Sequence, residues 1–224
     1  MKKVRRNCLP VVVLGASGTG LYIADCIERT KNFMFAGFLD DDESKQTRGF
    51  EGLPVLGNLN SWKVLDNRFH FISSLYGVKK MRRFHSLVES LRIRNGRWAT
   101  IVDPQAIVSS SVKIGRGSFV GPGCVIEPAA VLGAGCALLG NVYVAHHTIL
   151  EDYVVCANSV SIAGKVIIGK ACYVGANATI HQNVRIDSLA TIGMGAVVLK
   201  SVSGGITVAG NPAKPIEPLS GVKE

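Results

Sequence analysis

AIVSSS (106–111), VKIGRG (112–117), SFVGPG (118–123) and CVIEPA (124–129) open a run that continues to Ser201 as sixteen consecutive six-residue units, without insertion or deletion. The third position of each unit is a branched aliphatic in fifteen of the sixteen, from Val108, Ile114 and Val120 to Ile186, Ile192 and Val198, the exception being Cys156. The first positions are small or β-branched, as at Ala106, Val112, Ser118, Cys124, Ala130, Cys136, Val142 and Thr148. On a short strand, positions one and three point the same way and fill one interior. Glycine recurs at the fourth position (Gly115, Gly121, Gly133, Gly169, Gly175, Gly193), which is expected to serve a corner after each strand. A fixed period of this kind predicts a parallel β-helix, in which stacked coils bury what no single coil can.

Working outward, the chain of 224 residues is long enough for two modules. Its 47% hydrophobic and 18% charged content is globular, and the repeat accounts for many of the 25 glycines. The net charge of +9 suits phosphorylated small molecules, nucleic acid or a membrane surface. No basic motif is interleaved with aromatics, so a nucleic-acid partner is not expected. The basic cluster Lys79, Lys80, Arg82 and Arg83, followed by Arg92, Arg94 and Arg97, reads as a solvated helix face.

Cys8, Cys26, Cys124, Cys136, Cys156 and Cys172 show no CxxC and no metal-ligand spacing, and four of them fall on inward repeat positions. They read as small core residues of a reduced, cytoplasmic protein. The opening Met1–Arg6 is basic, but the apolar run that follows ends at Gly15, too short for a secretory signal. No stretch approaches the ~18 apolar residues of a membrane span.

Ahead of the repeat, LPVVVL (9–14) runs into Gly15-Ala16-Ser17-Gly18-Thr19-Gly20 and then a helical pattern over 21–29. Strand, glycine turn and helix form the start of a nucleotide-binding βαβ unit. Its glycines let backbone N–H groups at the helix N-terminus approach a phosphate or sugar. A second strand, 34–39, ends in Asp40-Asp41-Asp42, where a carboxylate would accept hydrogen bonds from a ribose or a base. The motif departs from GxGxxG, and similar turns also occur for structural reasons alone. A third strand is expected over 69–74. A helix is expected within 77–95, with Gly96 as its C-terminal cap. The chain therefore divides into a small α/β domain, 1–103, and a prism with its tail, 104–224, the tail including TVAGNPAKP (207–215).

The chemistry-bearing residues stand out against the repeat. His146 and His147 fall on the fifth and sixth positions of their unit, outside the core, and histidine is the usual general base near neutral pH. The competing reading of each is an exposed corner residue. His181, at a fourth position, also faces outward, whereas His70 and His85 fall within a strand and a helix and read as structural.

The glycine turn GASGTG, the FLDDD after the second strand, the prism with AHHTILED, and the closing GNPAK together resemble the bacterial hexapeptide-repeat sugar acetyltransferases. That family includes nucleotide-linked amino-sugar N-acetyltransferases and sialic acid O-acetyltransferase-like proteins, and the likeness covers nearly the whole chain. It implies an α/β N-terminal Rossmann-like domain followed by a left-handed parallel β-helix, eighteen residues per coil, assembled as a homotrimer with active sites between subunits. It implies acetyl-CoA as co-substrate, no metal, and a nucleotide-linked amino sugar as acceptor. Carried over by position, His146 is the catalytic base that takes a proton from the attacking amine. The family often has an acidic residue where this chain has His147, and a second histidine where it has Val155. The orienting partner is therefore open among Glu151, Asp152 and His147. The resemblance places Gly15, Ser17, Gly18, Thr19 and Gly20 around the sugar and phosphates, with Asp40 and Asp41 near the base. It places Gly175, Ala176, Gly193 and Gly195 along the acetyl-CoA groove, with Lys200 and Lys214 at its phosphates and Pro212 near the adenine.

Other readings remain at this stage. A sugar O-acetyltransferase would use the same base on an alcohol. A zinc hydratase on a similar prism would need three histidines; His146 and His181 lie close to two coils apart, but a third ligand is missing and His147 is expected to point elsewhere. A dehydrogenase has little room in the first domain, and a scaffold without catalysis is the remaining possibility.

Overall fold

In the computed structural model, residues 8–78 and 80–217 are described. The basic opening Met1–Arg6 and Lys79 of the basic cluster lie outside them. The first domain is a three-stranded parallel sheet of order β2-β1-β3, formed by β1 (Leu9–Leu14), β2 (Phe33–Leu39) and β3 (His70–Ser73). Its central strand is buried from Val11 to Leu14, as expected of a continuous apolar run covered on both faces. Helix α1 (Gly18–Arg29) and helix α3 (Met81–Ser90) bury Ile23, Cys26, Ile27, Phe84 and Val88 on one side, and a short helix α2 (Glu43–Arg48) lies after β2. The opposite face packs Val12, Leu14, Leu39, Leu59, Phe71, Leu91 and Ile93 into a second layer.

The helix expected within 77–95 is confined to Met81–Ser90, because Arg92 takes the left-handed conformation (φ 52°) that ends it. Gly96, expected as the cap, lies instead in a single 3-10 turn over Asn95–Arg97. Arg97, assigned to a solvated face, is buried. Its guanidinium stacks over Trp62 and Phe71 and donates to the carbonyls of Leu65, Asp66 and Phe69.

The repeat forms a three-sided parallel β-helix. Each of the sixteen units supplies a two-residue strand at its second and third positions, β5 (Ile107–Val108) to β20 (Val197–Val198), and within these units strands eighteen residues apart pair, as Ala137 does with Val155. One strand, β4 (Ile101–Val102), precedes the quoted units and pairs with Phe119–Val120. After the units end, β21 (Thr207–Ala209) still adds to the first sheet beside Thr191–Ile192, and β22 (Lys214–Ile216) folds back antiparallel on it. The first sheet therefore holds β4, β7, β10, β13, β16, β19, β21 and β22; the second runs from β5 to β20 and the third from β6 to β18. At roughly 4.8 Å per coil the stack is about 25–30 Å long.

Positions one and three form the prism core, including Cys124, Leu132, Val144, Cys156, Ile168 and Ile186. The polar first positions are satisfied by one repeated bond to a carbonyl fifteen residues on: Ser118 to Gly133 (2.9 Å), Cys124 to Leu139 (2.8 Å), Cys136 to Glu151 (3.1 Å), Thr148 to Ala163 (3.0 Å) and Cys172 to Asp187 (3.1 Å). Burial pushes the Cys136 thiol up to about 12, so it stays a neutral donor.

The expected reason for the fourth-position glycines is corrected. The left-handed residue of each corner is the sixth, and ten of these are not glycine, among them Asn141 (φ 59°), His147 (φ 59°) and Tyr153 (φ 61°). The fourth position is instead where neighbouring coils nearly touch. A Cβ on Gly115 would stand 2.4 Å from the carbonyl carbon of Gly133, and one on Gly169 would stand 2.5 Å from the amide nitrogen of Ser188.

The first domain docks on the first sheet of the prism through one shared core, in which Ile23, Cys26 and Phe84 meet Phe119, Ala137, Val155 and Ala171. Tyr22 packs edge-on to Phe119 at 5.8 Å and Phe84 to Tyr153 at 5.7 Å. At the C-terminal end of α1, Arg29 donates to the fully buried carboxylate of Asp103 at 2.8 Å, joining the helix to the first corner of the prism.

Candidate active site

That docking leaves a cleft of about 760 Å³ at the edge between the first and second sheets. One wall is the N-terminal turn of α1, with Gly18, Thr19 and Tyr22. The other is a ladder of outward corner residues, Gln105, Pro122, Gly123, Leu139, Gly140, Asn141, Asn158 and Ser159. Ser17 caps α1 by accepting the Gly20 N–H at 3.1 Å, and the first turn carries no acidic residue. The positive end of a twelve-residue helix thus opens on a cleft of mixed polar and apolar lining, an arrangement suited to an anionic ligand with an apolar part. Nothing lies within 4 Å of where a Gly18 side chain would begin. Burial pushes the Tyr22 phenol up to about 12, so at neutral pH it remains a hydrogen-bond donor.

Other members of the glycine turn are placed by packing. Gly15 has φ +102°, and a Cβ there would stand 2.9 Å from both Leu75 Cδ2 and Ser74 Oγ; one on Gly20 would stand 2.4 Å from the Gly15 carbonyl. Asp40 closes the turn by accepting the Ala16 N–H at 2.7 Å and pairing with Lys45 at 3.3 Å. Asp41 accepts the Leu59 N–H at 2.9 Å. Gly18 and Thr19 line the cleft; Asp40 and Asp41 brace the loops behind it.

His146 and His147 stand exposed on the next edge, between the second and third sheets. Their Nδ1 atoms are 3.1 Å apart and the rings cross at 84°. His147 therefore points at His146, not elsewhere as expected. The backbone N–H of His146 donates to Glu127 Oε2 at 2.9 Å, and the Tyr143 hydroxyl donates to the other oxygen of that carboxylate. Those two bonds, the Tyr143 hydroxyl first, hold the Glu127 carboxyl below its ordinary range. Gly164, one coil on, leaves room for the imidazole: a Cβ there would be 2.8 Å from His146 Cε1.

Glu151 and Asp152 lie at a different edge, between the third and first sheets, where they accept the N–H groups of Lys170 (3.0 Å) and Ala134 (2.7 Å). Gly175, Ala176, Gly193 and Gly195 continue the edge that bears the cleft, with Met194 80% exposed among them. Lys200 is exposed in the same column of corner residues as His146, three coils further along. Pro212 follows a cis peptide bond after Asn211, and Lys214 lies on β22 opposite Ala209. His181 bonds through Nδ1 to the Gln182 carbonyl at 3.1 Å. Among the described residues, no three His, Cys, Asp or Glu side chains are gathered as a metal site, and no helix is long and apolar enough to cross a membrane.

Tyr22, Gln105, Asn141, Asn158 and Ser159 were not singled out in the sequence. Their signal is faint, because Asn and Ser at fifth and sixth positions also read as ordinary turn residues. It becomes visible only when α1 is seen to cover that edge.

A prism of six-residue repeats joined to a small α/β domain is an architecture that this chain shares with known proteins. Residues 10–82 match the family described as the PglD N-terminal domain. GDP-perosamine N-acetyltransferase of Escherichia coli O157:H7 is 37% identical over 184 residues, covering 79% of this chain and 80% of that protein. The chain belongs to the family of that enzyme. The acetyltransferase domain of PglB from Neisseria gonorrhoeae FA1090 superposes with a TM-score of 0.83 at 28% identity, covering 93% of this chain and 100% of that one; a structure of that domain in complex with acetyl coenzyme A also matches. Serine acetyltransferase of Buchnera aphidicola subsp. Acyrthosiphon pisum (strain APS) is 32% identical over 152 residues, 64% of this chain. The chain spans about half the length of that protein, 54%, and a smaller share, 28%, of an acyl-[acyl-carrier-protein]--UDP-N-acetylglucosamine O-acyltransferase of Gloeothece citriformis.

Proposed function

We propose that this chain transfers the acetyl group of acetyl-CoA to the amino group of a nucleotide-linked 4-amino-dideoxy sugar used in bacterial glycan synthesis, with His146 as general base. The observation that carries the reading is the pairing, in one chain, of a helix N-terminus facing a cleft of about 760 Å³ with an exposed histidine held on the neighbouring prism edge. The likeness to GDP-perosamine N-acetyltransferase, whose name specifies a nucleotide-linked amino sugar, supports the acceptor class.

In this reading the diphosphate lies against the N–H groups of Gly18 and Thr19, with the remainder of the glycine turn shaping the pocket and Asp40 and Asp41 toward the base. Acetyl-CoA follows the edge through Gly175, Ala176, Gly193 and Gly195 toward Lys200, Pro212 and Lys214. The amine attacks the thioester carbonyl and its nitrogen loses a proton to His146 Nε2, since an ammonium has no lone pair with which to attack. Prism N–H groups stabilise the oxyanion. As the C–S bond breaks, the proton on His146 passes to the departing CoA thiolate. Five residues separate Asn141 in the cleft from His146, a span of up to about 17 Å across one face. That separation supports a homotrimer in which His146 of one subunit meets the cleft edge of the next, working in the cytoplasm where acetyl-CoA is made.

The test is CoA release from acetyl-CoA with GDP-, UDP- and dTDP-linked 4-amino sugars, run beside free sialic acid and serine as alcohol acceptors. Turnover on an amino sugar is expected. Turnover confined to the alcohols, or none on any amino sugar, contradicts the reading.

A further inference from the structure

We infer that His147 is the positioning residue for the base: as a neutral hydrogen-bond acceptor, it holds His146 in the tautomer that leaves Nε2 free to take the proton. The inference rests on the function proposed above and deepens it.

The two Nδ1 atoms are 3.1 Å apart, so one must donate and the other accept. If His146 is to receive a proton at Nε2, which lies on the side of Gly164, its neutral ring must carry hydrogen on Nδ1. That hydrogen then points at His147 Nδ1, which must be unprotonated, with the His147 hydrogen on Nε2. The assignment is unique within the pair. When His146 becomes an imidazolium it keeps the same bond, and the transferred charge is stabilised without any ring turning, which is how a histidine partner sets tautomer and orientation.

Other carboxylates near the pair are occupied. Glu127 spends one oxygen on the Tyr143 hydroxyl and the other on the His146 N–H, so it fixes the backbone of His146 and not its ring. Glu151 and Asp152 bond to backbone N–H groups at another edge. The following coil presents Gly164 against the His146 ring and Lys165 in the column of His147. A doubly protonated pair would set two Nδ1–H groups against each other at 3.1 Å. Nor is His147 on a flexible loop. Its left-handed backbone (φ 59°) repeats in Ala129 (φ 62°) and Lys165 (φ 58°), one coil to either side, so the coil itself aims the ring.

Two variants separate orientation from mere structure. His147→Gly keeps a left-handed backbone at no steric cost and removes the ring. His147→Asp tolerates the same backbone and puts an oxygen one bond from Cγ, where Nδ1 stood. With the amino sugar that the wild type accepts, His147→Gly is expected to lower kcat roughly ten- to a hundredfold, with the KM of both substrates within about twofold. His147→Asp is expected to recover most of that loss. It also moves the acid limb of the kcat/KM profile to higher pH by about half a unit to one unit, because a carboxylate favours the imidazolium more than a neutral ring does. Unchanged kcat in His147→Gly, or an Asp variant that neither recovers activity nor shifts the limb, overturns the inference. If the wild type turns over no amino sugar, the proposed function fails while the pair stays testable. Its ¹⁵N spectrum should report His146 with hydrogen on Nδ1 in the wild type and lose that preference in His147→Gly; the same tautomer in both proteins overturns the positioning role.

Discussion

The edge between the first and second sheets and the edge between the second and third are built from the same repeat, yet they are equipped differently. On the first, α1 closes over corner residues and makes a cleft with a helix N-terminus in its wall. On the second, His146 and His147 stand exposed among the described residues, over a glycine. One edge sets a helix N-terminus beside a cleft whose lining holds no histidine; the other carries the candidate base, His146. The coil fixes the frame of each edge through positions one and three, while positions four to six differ from unit to unit within the limits set by contact with the next coil and by the left-handed sixth residue. Each subunit thus offers two half-sites a face apart.

Breaking the second edge should have the largest effect. His146→Ala is expected to lower kcat by about 10²–10⁴-fold, the ordinary share of general base catalysis, with little change in substrate KM measured by steady-state kinetics. Blocking the first edge comes next: Thr19→Trp, placing an indole in the cleft, should raise the KM for the nucleotide sugar at least about tenfold while the KM for acetyl-CoA stays within about twofold, as the half-sites are distinct. Gly164→Ala sharpens the contrast. Its methyl would meet the His146 ring at 2.8 Å and displace it, so kcat should fall about tenfold with a small change in melting temperature. The smallest effect on rate is expected from Asp103→Ala, which removes the buried carboxylate that Arg29 reaches beneath α1 and leaves it paired with the exposed Asp25. Arg29 is partly exposed, so the cost should be about 2 kcal/mol in thermal unfolding, with a modest rise in nucleotide-sugar KM.

The prism was legible because an interior two residues wide admits few side chains. Val108 to Val198 at third positions therefore announce both strand and coil, and the first domain was legible from LPVVVL and the turn after it. What escaped was set by contacts between coils, which lie eighteen residues apart in the chain. The glycines at 115 and 169 looked like corner residues, but they are there because the next coil approaches within bonding range of any Cβ. Gly96 was expected to cap α3, yet Arg92 takes the left-handed conformation earlier. The candidate base was readable from its outward position in the frame. The direction of His147 was not, because it depends on the corner geometry that places two adjacent rings face to edge. The cleft was equally hidden, since Asn141 and Asn158 acquire a role only once α1 docks across them.

The most direct test of a catalytic centre shared between the two edges is subunit mixing. With the nucleotide amino sugar held well below its wild-type KM, His146→Ala homo-oligomers should be inactive and Thr19→Trp homo-oligomers should run at no more than about a tenth of the wild-type rate. Denatured together in equal amounts and refolded, they should regain about a quarter of wild-type activity, because random trimers pair an intact His146 with an intact neighbouring cleft at about that frequency. Mixed oligomers confirmed by mass spectrometry that remain as inactive as their parents would contradict the account.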